Sequence, residues 1–279
     1  MPGSTTQPTA ALTSSDQVRR LTVVAAETFC VVGTLFGVGV LGTRVEETSG
    51  GALAATATLI APAGPAFSIW TPIYLGLLAY AVWQALPANA VRERVRSTGW
   101  LAAASMVLNA TWLLVTQQGW IWASVVVIVA LALTLGVLLR RLTREPATSR
   151  WEQVVLDGTF GLYLGWVAVA TCANITAALV DSGVDLGATA NQAAAVVVLA
   201  VAAGLGIVFA RRLGGRWSVA AAMAWGLAWI AVGRLGDDPR SVLTGIAAVV
   251  AAAVVVVAAG RSHTRRPVTP EASRRLRTV

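Results

Sequence analysis

The stretch APAGPAFSIWTPIYLGLLAYAVWQ, Ala61 to Gln84, sets two prolines and a glycine ahead of an apolar run of membrane-spanning length. Trp70, Tyr74 and Trp83 lie inside that run. A helix that faces lipid on all sides is mostly aliphatic and collects Trp and Tyr in the two interfacial belts. Aromatic side chains in the interior of this run therefore indicate a surface that faces other protein groups or a ligand.

Composition places the whole chain in a membrane. Of its 279 residues, 56% are hydrophobic and 12% are charged, and the mean hydropathy is +0.71, whereas soluble domains average roughly 25% charged residues. The runs lack the period-two alternation of barrel strands, so we expect an all-α, polytopic membrane helix bundle. Eight runs approach the ~20 residues that cross the hydrocarbon core, at about 21–41, 66–86, 99–116, 119–139, 153–179, 188–210, 217–235 and 241–260.

The distribution of arginine predicts the topology. All 21 basic residues are arginine, and with the N-terminus in the cytoplasm eighteen of them fall inside and three, Arg44, Arg234 and Arg240, outside. Cytoplasmic loops are enriched in Arg and Lys in this way. The sequence therefore predicts a multi-pass protein of the cytoplasmic membrane, with both termini cytoplasmic. Topology accounts for the net charge of +8, so no nucleic-acid partner is expected.

The two ends of the chain are polar. Residues 1–20 are rich in Pro, Ser and Thr and are predicted to form a disordered cytoplasmic tail. Residues 261–279 are predicted to form a basic cytoplasmic tail that contacts anionic lipid.

Cysteine and histidine usage excludes several classes of site. Cys30 and Cys172 both lie in predicted helices, so neither a disulfide framework nor a zinc site is indicated. The single histidine, His263, falls in the C-terminal tail, which leaves no imidazole in the membrane for haem or a transition metal. No metal and no obligatory cofactor are predicted.

Polar and aromatic residues form a stripe on each of three predicted helices. Side chains three, four, seven or eleven positions apart share one helix face. Such stripes fit either interhelical hydrogen bonds with aromatic filling of the core, or the lining of a pocket for a flat apolar ligand. The stripes are Phe67, Trp70 and Tyr74 in the second run, Ser105, Asn109, Trp112 and Thr116 in the third, and Tyr163, Trp166, Ala170 and Asn174 in the fifth.

Ionisable residues inside the runs are functional candidates because their insertion costs roughly 2.5–3.5 kcal/mol each. Glu27 lies in the first run and Asp157 in the fifth, and together they form a candidate proton or polar site. Glu27 is interpreted as a protonated hydrogen-bond donor in the core, with a proton carrier as the alternative. Arg234 is expected to snorkel toward Asp237 and Asp238.

These motifs resemble the tryptophan-rich sensory protein or translocator protein family, the TspO/MBR group related to the peripheral benzodiazepine receptor. The eleven tryptophans fit that name, and the resemblance covers about residues 20–180. Residues 21–180 are accordingly predicted to be a TspO-like five-helix domain and residues 188–260 an addition of three helices. The matching positions are Trp70 and Tyr74 in W-T-x-x-Y, Asn109 and Trp112 in L-N-x-x-W, and Tyr163, Trp166, Ala170 and Asn174 in Y-x-x-W-x-x-x-A-x-x-x-N.

The resemblance implies a ligand pocket under the loop that joins the first two helices. The family is known for binding porphyrins and other flat hydrophobic ligands, and for tryptophan-dependent, light-driven breakdown of protoporphyrin in some bacterial members. It therefore implies a binding protein or sensor whose ligand is a tetrapyrrole, with a sterol or carotenoid-like molecule as a further candidate. The predicted ligand-binding residues are the matching positions together with Phe67.

Two other functions remain open. A proton-coupled transporter would use Glu27 and Asp157, but the sequence shows no convincing internal repeat. An enzyme would need a nucleophile, an acid–base pair or a metal, and the helices offer little of these. Photochemistry by tryptophan on a bound tetrapyrrole is the remaining catalytic option, so the protein is predicted to be more a binder than an enzyme.

Pairs of small residues spaced four apart also suggest that two copies of the chain associate. Gly33 and Gly37 in the first run, and Gly161 and Gly165 in the fifth, permit close approach of helices. Members of the resembled family commonly form dimers, so a homodimer is expected.

The topology generates the first testable prediction. Reporter fusions placed after Arg144 and after Val279 are both expected to read cytoplasmic, because the arginine-rich segments lie inside. A periplasmic signal at either position contradicts the predicted arrangement.

Overall fold

The computed structural model describes residues 12–37 and 39–264. Within them lie eight helices that are long and apolar enough to cross a membrane, and no strand is found there, so the predicted all-α membrane bundle is confirmed. The helices are α1 Ser14–Gly37, α2 Trp70–Ala85, α3 Glu93–Gln117, α4 Ile121–Arg144, α5 Arg150–Asp181, α6 Ala188–Arg212, α7 Trp217–Gly236 and α8 Val242–Thr264.

The first helix begins earlier than predicted. Thr13 and Asp16 cap its start, since the Thr13 amide donates to the Asp16 carboxylate at 3.1 Å and the Asp16 amide donates to the Thr13 hydroxyl at 3.2 Å. The prediction of a disordered tail over residues 1–20 is therefore wrong from Ser14 onward, because the polar composition there serves a helix cap. Residues 1–11 lie outside the described residues. At the other end α8 continues to Thr264, and the remainder of the predicted tail, 265–279, lies outside them as well.

The first five helices close into a ring. Helix α1 packs against α2 and α3, α3 against α4, α4 against α5, and α5 against α2. The other three helices form a second layer that joins the ring mainly through α7: α7 packs on α5, α8 on α7, and α6 on α8. One hydrophobic core runs through both layers.

The second run does not start as an α-helix. Gly64–Ile69 forms a 3-10 helix that leads directly into α2 at Trp70. Pro72 therefore lies in the first turn of α2, where a missing amide removes no regular helical hydrogen bond. Pro72 thus lies near the junction between the two helix types, beside the aromatic stripe.

The small-residue pairs lie at contacts within the chain. A Cβ added to Gly33 would stand 2.9 Å from Ala110 of α3, and one added to Gly37 would stand 2.6 Å from a methyl of Leu113. Gly161 and Gly165 face α7 in the same manner. These glycines let helices of one chain approach closely, so the argument from them to a homodimer is wrong, and the homodimer itself stays a prediction.

The close contact of α5 with α7 is testable by a matched pair of substitutions. In Gly165→Ala the new methyl would overlap the Val219 carbonyl of α7, and such overpacking typically costs about 1–3 kcal/mol. In Gly136→Ala no atom of the described residues lies within 4 Å of the new Cβ, so helix propensity should raise stability by about 0.5–1 kcal/mol. Thermal unfolding in detergent should separate the two variants. Equal midpoints would mean that α7 does not pack on α5 as described.

Candidate ligand pocket

The aromatic stripes of α2 and α5 meet in one cluster. Trp70 stacks on Tyr74 with ring centroids 5.1 Å apart and planes 12° apart. Its indole stands edge-on to Tyr163 at 5.9 Å and to Trp166 at 6.1 Å. Phe67, in the 3-10 segment, meets Trp166 edge-on at 5.7 Å. The rings therefore brace one another, and the stacked Trp70–Tyr74 pair, here called the aromatic wall, lines one side of a cavity.

The amide of Asn174 ties three helices together. Its oxygen accepts from Trp112 Nε1 of α3 at 2.9 Å, and its nitrogen donates to the Ser124 hydroxyl of α4 at 3.0 Å. Asn174 is buried in α5 and also lines a cavity. The two sequence interpretations of this residue, interhelical bond and pocket lining, therefore both describe it.

Asn109 and Tyr163 lie behind the aromatic wall. The Asn109 nitrogen donates to the Tyr74 hydroxyl at 3.1 Å and to the Cys30 sulfur at 3.5 Å. The Tyr163 hydroxyl donates to the Ser105 carbonyl at 3.2 Å. Both side chains are fully buried, so they hold the wall in place from within the protein.

Two neighbouring cavities adjoin this cluster. The inner cavity, of about 40 Å³, is walled by α3 and α5 through Trp112, Trp166, Ala170 and Asn174. The outer cavity, of about 540 Å³, is open and lies between α1 and α2 beside Trp70 and Tyr74. Phe67 and Val45 line both cavities, so these two side chains lie between the two spaces.

The mouth of the outer cavity carries charge. Arg44 is exposed at its rim, and the half-buried Glu46 lines it as well. Burial raises the pKa of the Glu46 carboxyl, and the nearby Arg44 opposes that rise. The outer cavity therefore combines an apolar interior with ionisable groups at one edge.

The structure brings all the predicted ligand-binding residues together, seven of them on the cavities and two, Asn109 and Tyr163, directly behind. Sequence reasoning missed the residues that roof the inner cavity. That roof, here called the α1–α2 loop, is rich in Ala, Thr and Gly and shows no periodicity that would mark a lining position. Its lining residues are Val45, Ala52, Leu53, Thr58, Ala61 and Pro62.

Glu27 does not make the predicted hydrogen bond. It is 4% exposed on α1, and neither carboxyl oxygen has a hydrogen-bond partner among the described residues. It lies one helical turn before Cys30, and so close to the Asn109 amide that supports the wall. The interpretation of Glu27 as a donor to a core acceptor therefore finds no acceptor.

Asp157 belongs to an ion-pair network away from the cavities. Its carboxylate accepts two bonds from Arg94 of α3, at 2.8 and 2.9 Å, and a further one from Arg216 ahead of α7. Arg94 also pairs with Glu152 at 3.1 Å. Asp157 lies in a π-helical turn, Gln153–Gly158, nine residues before Trp166. It joins the two helix layers, which gives it a structural role, and its role as a proton site stays a prediction.

Arg234 also departs from expectation. It is 1% exposed, and none of the ion pairs among the described residues includes it. Its guanidinium turns inward to main-chain carbonyls of the α1–α2 loop. The predicted snorkelling toward Asp237 and Asp238 is wrong because carbonyl acceptors lie within reach inside the protein.

The roles of the two acidic residues can be separated by isosteric substitution. Asp157→Asn removes the charge that the buried Arg94 and the half-buried Arg216 share, and breaking a buried pair typically costs about 3–5 kcal/mol. Glu27→Gln breaks no ion pair and should change stability far less. Thermal unfolding of both variants in detergent measures the difference, and equal losses would contradict the structural role of Asp157.

Taken together, a ring of five apolar helices around an aromatic cavity, backed by a second helical layer, defines a polytopic integral membrane protein with a candidate small-molecule pocket. The sequence profile of the TSPO-like protein family matches residues 20–260, so the chain belongs to that family. The match extends past the resemblance over residues 20–180 and takes in the second layer, α6 to α8. No curated protein and no solved structure matches the chain.

Proposed function

We propose that this protein binds a flat, largely apolar molecule in the outer cavity, and that the ligand is a tetrapyrrole. The observation that carries the proposal is the parallel stack of Trp70 on Tyr74 along one wall of an open cavity of about 540 Å³. Small-molecule pockets typically measure roughly 300–1,000 Å³ and are lined mostly by apolar and aromatic side chains. The flat outer face of such a ring stack suits a planar ligand better than a globular one.

The position of the cavity supports a ligand that arrives from the lipid phase. It lies between α1 and α2, and Leu75, one of its lining residues, is 63% exposed on the outer face of α2. Its rim carries Arg44, which can pair with the carboxylates of a porphyrin. A sterol or a carotene offers no such group, so the charge at the rim favours a tetrapyrrole.

The inner cavity extends the same site. At about 40 Å³ it is too small for the body of such a ligand, but it shares Phe67 and Val45 with the lining of the outer cavity. Trp166 lines the inner cavity, and its indole N–H has no hydrogen-bond partner in the described residues. Rotation of Phe67 would join the two spaces and offer that donor to a polar atom of the ligand.

The proposal predicts which tryptophans matter for binding. Trp70→Phe and Trp166→Phe reduce aromatic contact in the pocket and should weaken protoporphyrin binding by about three- to thirtyfold. Trp100→Phe is the matched control, because Trp100 lies on α3, is 48% exposed and lines neither cavity. Affinity should be measured from the change in porphyrin absorbance, so that the removal of a fluorescent tryptophan does not disturb the signal.

Two results would count against the proposal. One is an equal affinity for all three variants at unchanged thermal stability, which would make the aromatic cluster a core feature alone. The other is that wild-type protein binds a sterol or a carotenoid but neither protoporphyrin nor haem, which would retain the pocket and reject the ligand class.

A further inference from the structure

The α1–α2 loop covers the inner cavity, and it places a few apolar side chains in the core, chiefly Ile60 with Leu53 and Leu59 beside it. Its residues between the short 3-10 turns and the 3-10 helix before α2 are mainly Ala, Thr and Gly. Hydrogen bonds within it are local, such as Ala57 N–H to the Ala54 carbonyl at 3.0 Å and Ala61 N–H to the Thr58 carbonyl at 3.3 Å. A segment with small side chains and local bonds needs external contacts to stay in one conformation.

Helix α7 supplies those contacts through Arg234. One guanidinium nitrogen donates to the Thr58 carbonyl at 3.1 Å and to the Pro239 carbonyl at 3.1 Å, and the other donates to the Ala55 carbonyl at 2.8 Å. A planar guanidinium can hold several acceptors in a fixed geometry, which a lysine ammonium on its flexible stem does not reproduce. Because the acceptors are main-chain atoms, Arg234 holds the backbone of the loop directly, and this contact does not depend on the loop's side chains.

Two tryptophans of α7 hold the end of the same loop. The Trp229 carbonyl accepts from the Ala63 amide at 3.2 Å, and Trp225 Nε1 donates to the Ala66 carbonyl at 2.9 Å. The two indoles meet edge-on at 5.7 Å. Together with Arg234 they contact the loop at both sides of Ala61 and Pro62, the residues that roof the inner cavity.

The same helix supports the wall of the cavity. A Cβ added to Gly226 of α7 would lie 3.5 Å from the Trp166 indole and 3.0 Å from Val169. Both of these residues line the inner cavity. Helix α7 therefore contacts the roof with its polar groups and the wall with its small residues.

We propose that α7 is a clamp that holds the α1–α2 loop closed over the ligand site, with Arg234 as its principal positioning residue. The part of this inference that concerns ligand retention rests on the proposed function. The clamp keeps the roof in place, so the ligand exchanges through the open outer cavity between α1 and α2. Loss of Arg234 frees the roof and opens a second route out of the site.

Hydrogen exchange of the ligand-free protein in nanodiscs tests the clamp directly. Arg234→Gln should speed the exchange of amides in residues 52–66 by about tenfold or more, the effect of losing one charge-assisted hydrogen bond. The Ala63 amide is the most direct reporter, since its acceptor lies on α7. The matched control is Arg240→Gln, because Arg240 is exposed and its hydrogen bond among the described residues goes to the Leu235 carbonyl at the same end of α7.

A second variant keeps the test decisive if Arg234→Gln does not fold. Trp225→Phe removes a single donor to the Ala66 carbonyl and keeps an aromatic ring in the same place, so it should speed loop exchange by a smaller factor. Peptides from α4 serve as the folding reference. Loop exchange that is unchanged in a folded Arg234→Gln protein, or equally raised by Arg240→Gln, overturns the clamp.

A second experiment, with protoporphyrin bound, distinguishes a failure of the clamp from a failure of the proposed function. With protoporphyrin bound, Arg234→Gln should raise the dissociation rate about five- to thirtyfold, and the control should not. Faster loop exchange without any binding of protoporphyrin to wild-type protein would uphold the clamp and reject the proposed ligand. Protoporphyrin binding to the wild-type protein, with loop exchange unchanged in Arg234→Gln, would uphold the proposed ligand and reject the clamp.

Discussion

A polar group buried in a membrane bundle must find its partner inside the protein, and most of this architecture depends on that constraint. The Asn174 amide meets it by joining Trp112 and Ser124 from two other helices. The Asp157 carboxylate meets it through Arg94 and Arg216. In each case the partners come from different elements of the bundle, so satisfying the polar group also fixes how the helices pack.

Helix α5 makes contacts that serve both the pocket and the packing of the two helix layers. One side of it carries the aromatic stripe that meets α2, and another carries Gly161 and Gly165, which let α7 approach closely. An aromatic face needs rigid backing to present a flat wall, because ring positions follow the backbone that carries them. The close α5–α7 contact supplies that backing, so the second helical layer bears on the pocket although it lines neither cavity.

The bundle and the pocket cluster were predictable from the sequence because they rest on periodic signals. Apolar runs of membrane length predict helices, and the spacing of Trp70, Tyr74, Trp166 and Asn174 predicts shared faces. Helix α1 was misjudged at its start, since a cap such as Thr13 with Asp16 resembles a polar tail in composition. The roof was not predicted for a different reason. Its main-chain carbonyls accept the hydrogen bonds from α7, and the identity of the loop's side chains does not reveal such bonds.

Arg234 illustrates the same limit of prediction from sequence. From the sequence it is one arginine near a helix end with aspartates after it, which is the pattern of a snorkelling side chain. In the fold, Arg234 is buried and its charge lies beside the carbonyls of Ala55 and Thr58, which are far from Arg234 in the sequence. The loop anchors Ile60 in the core, but most of its residues are small and bury little surface. Donors from α7 add to that anchor, which gives the second layer a role in the site although none of its side chains lines the inner or the outer cavity.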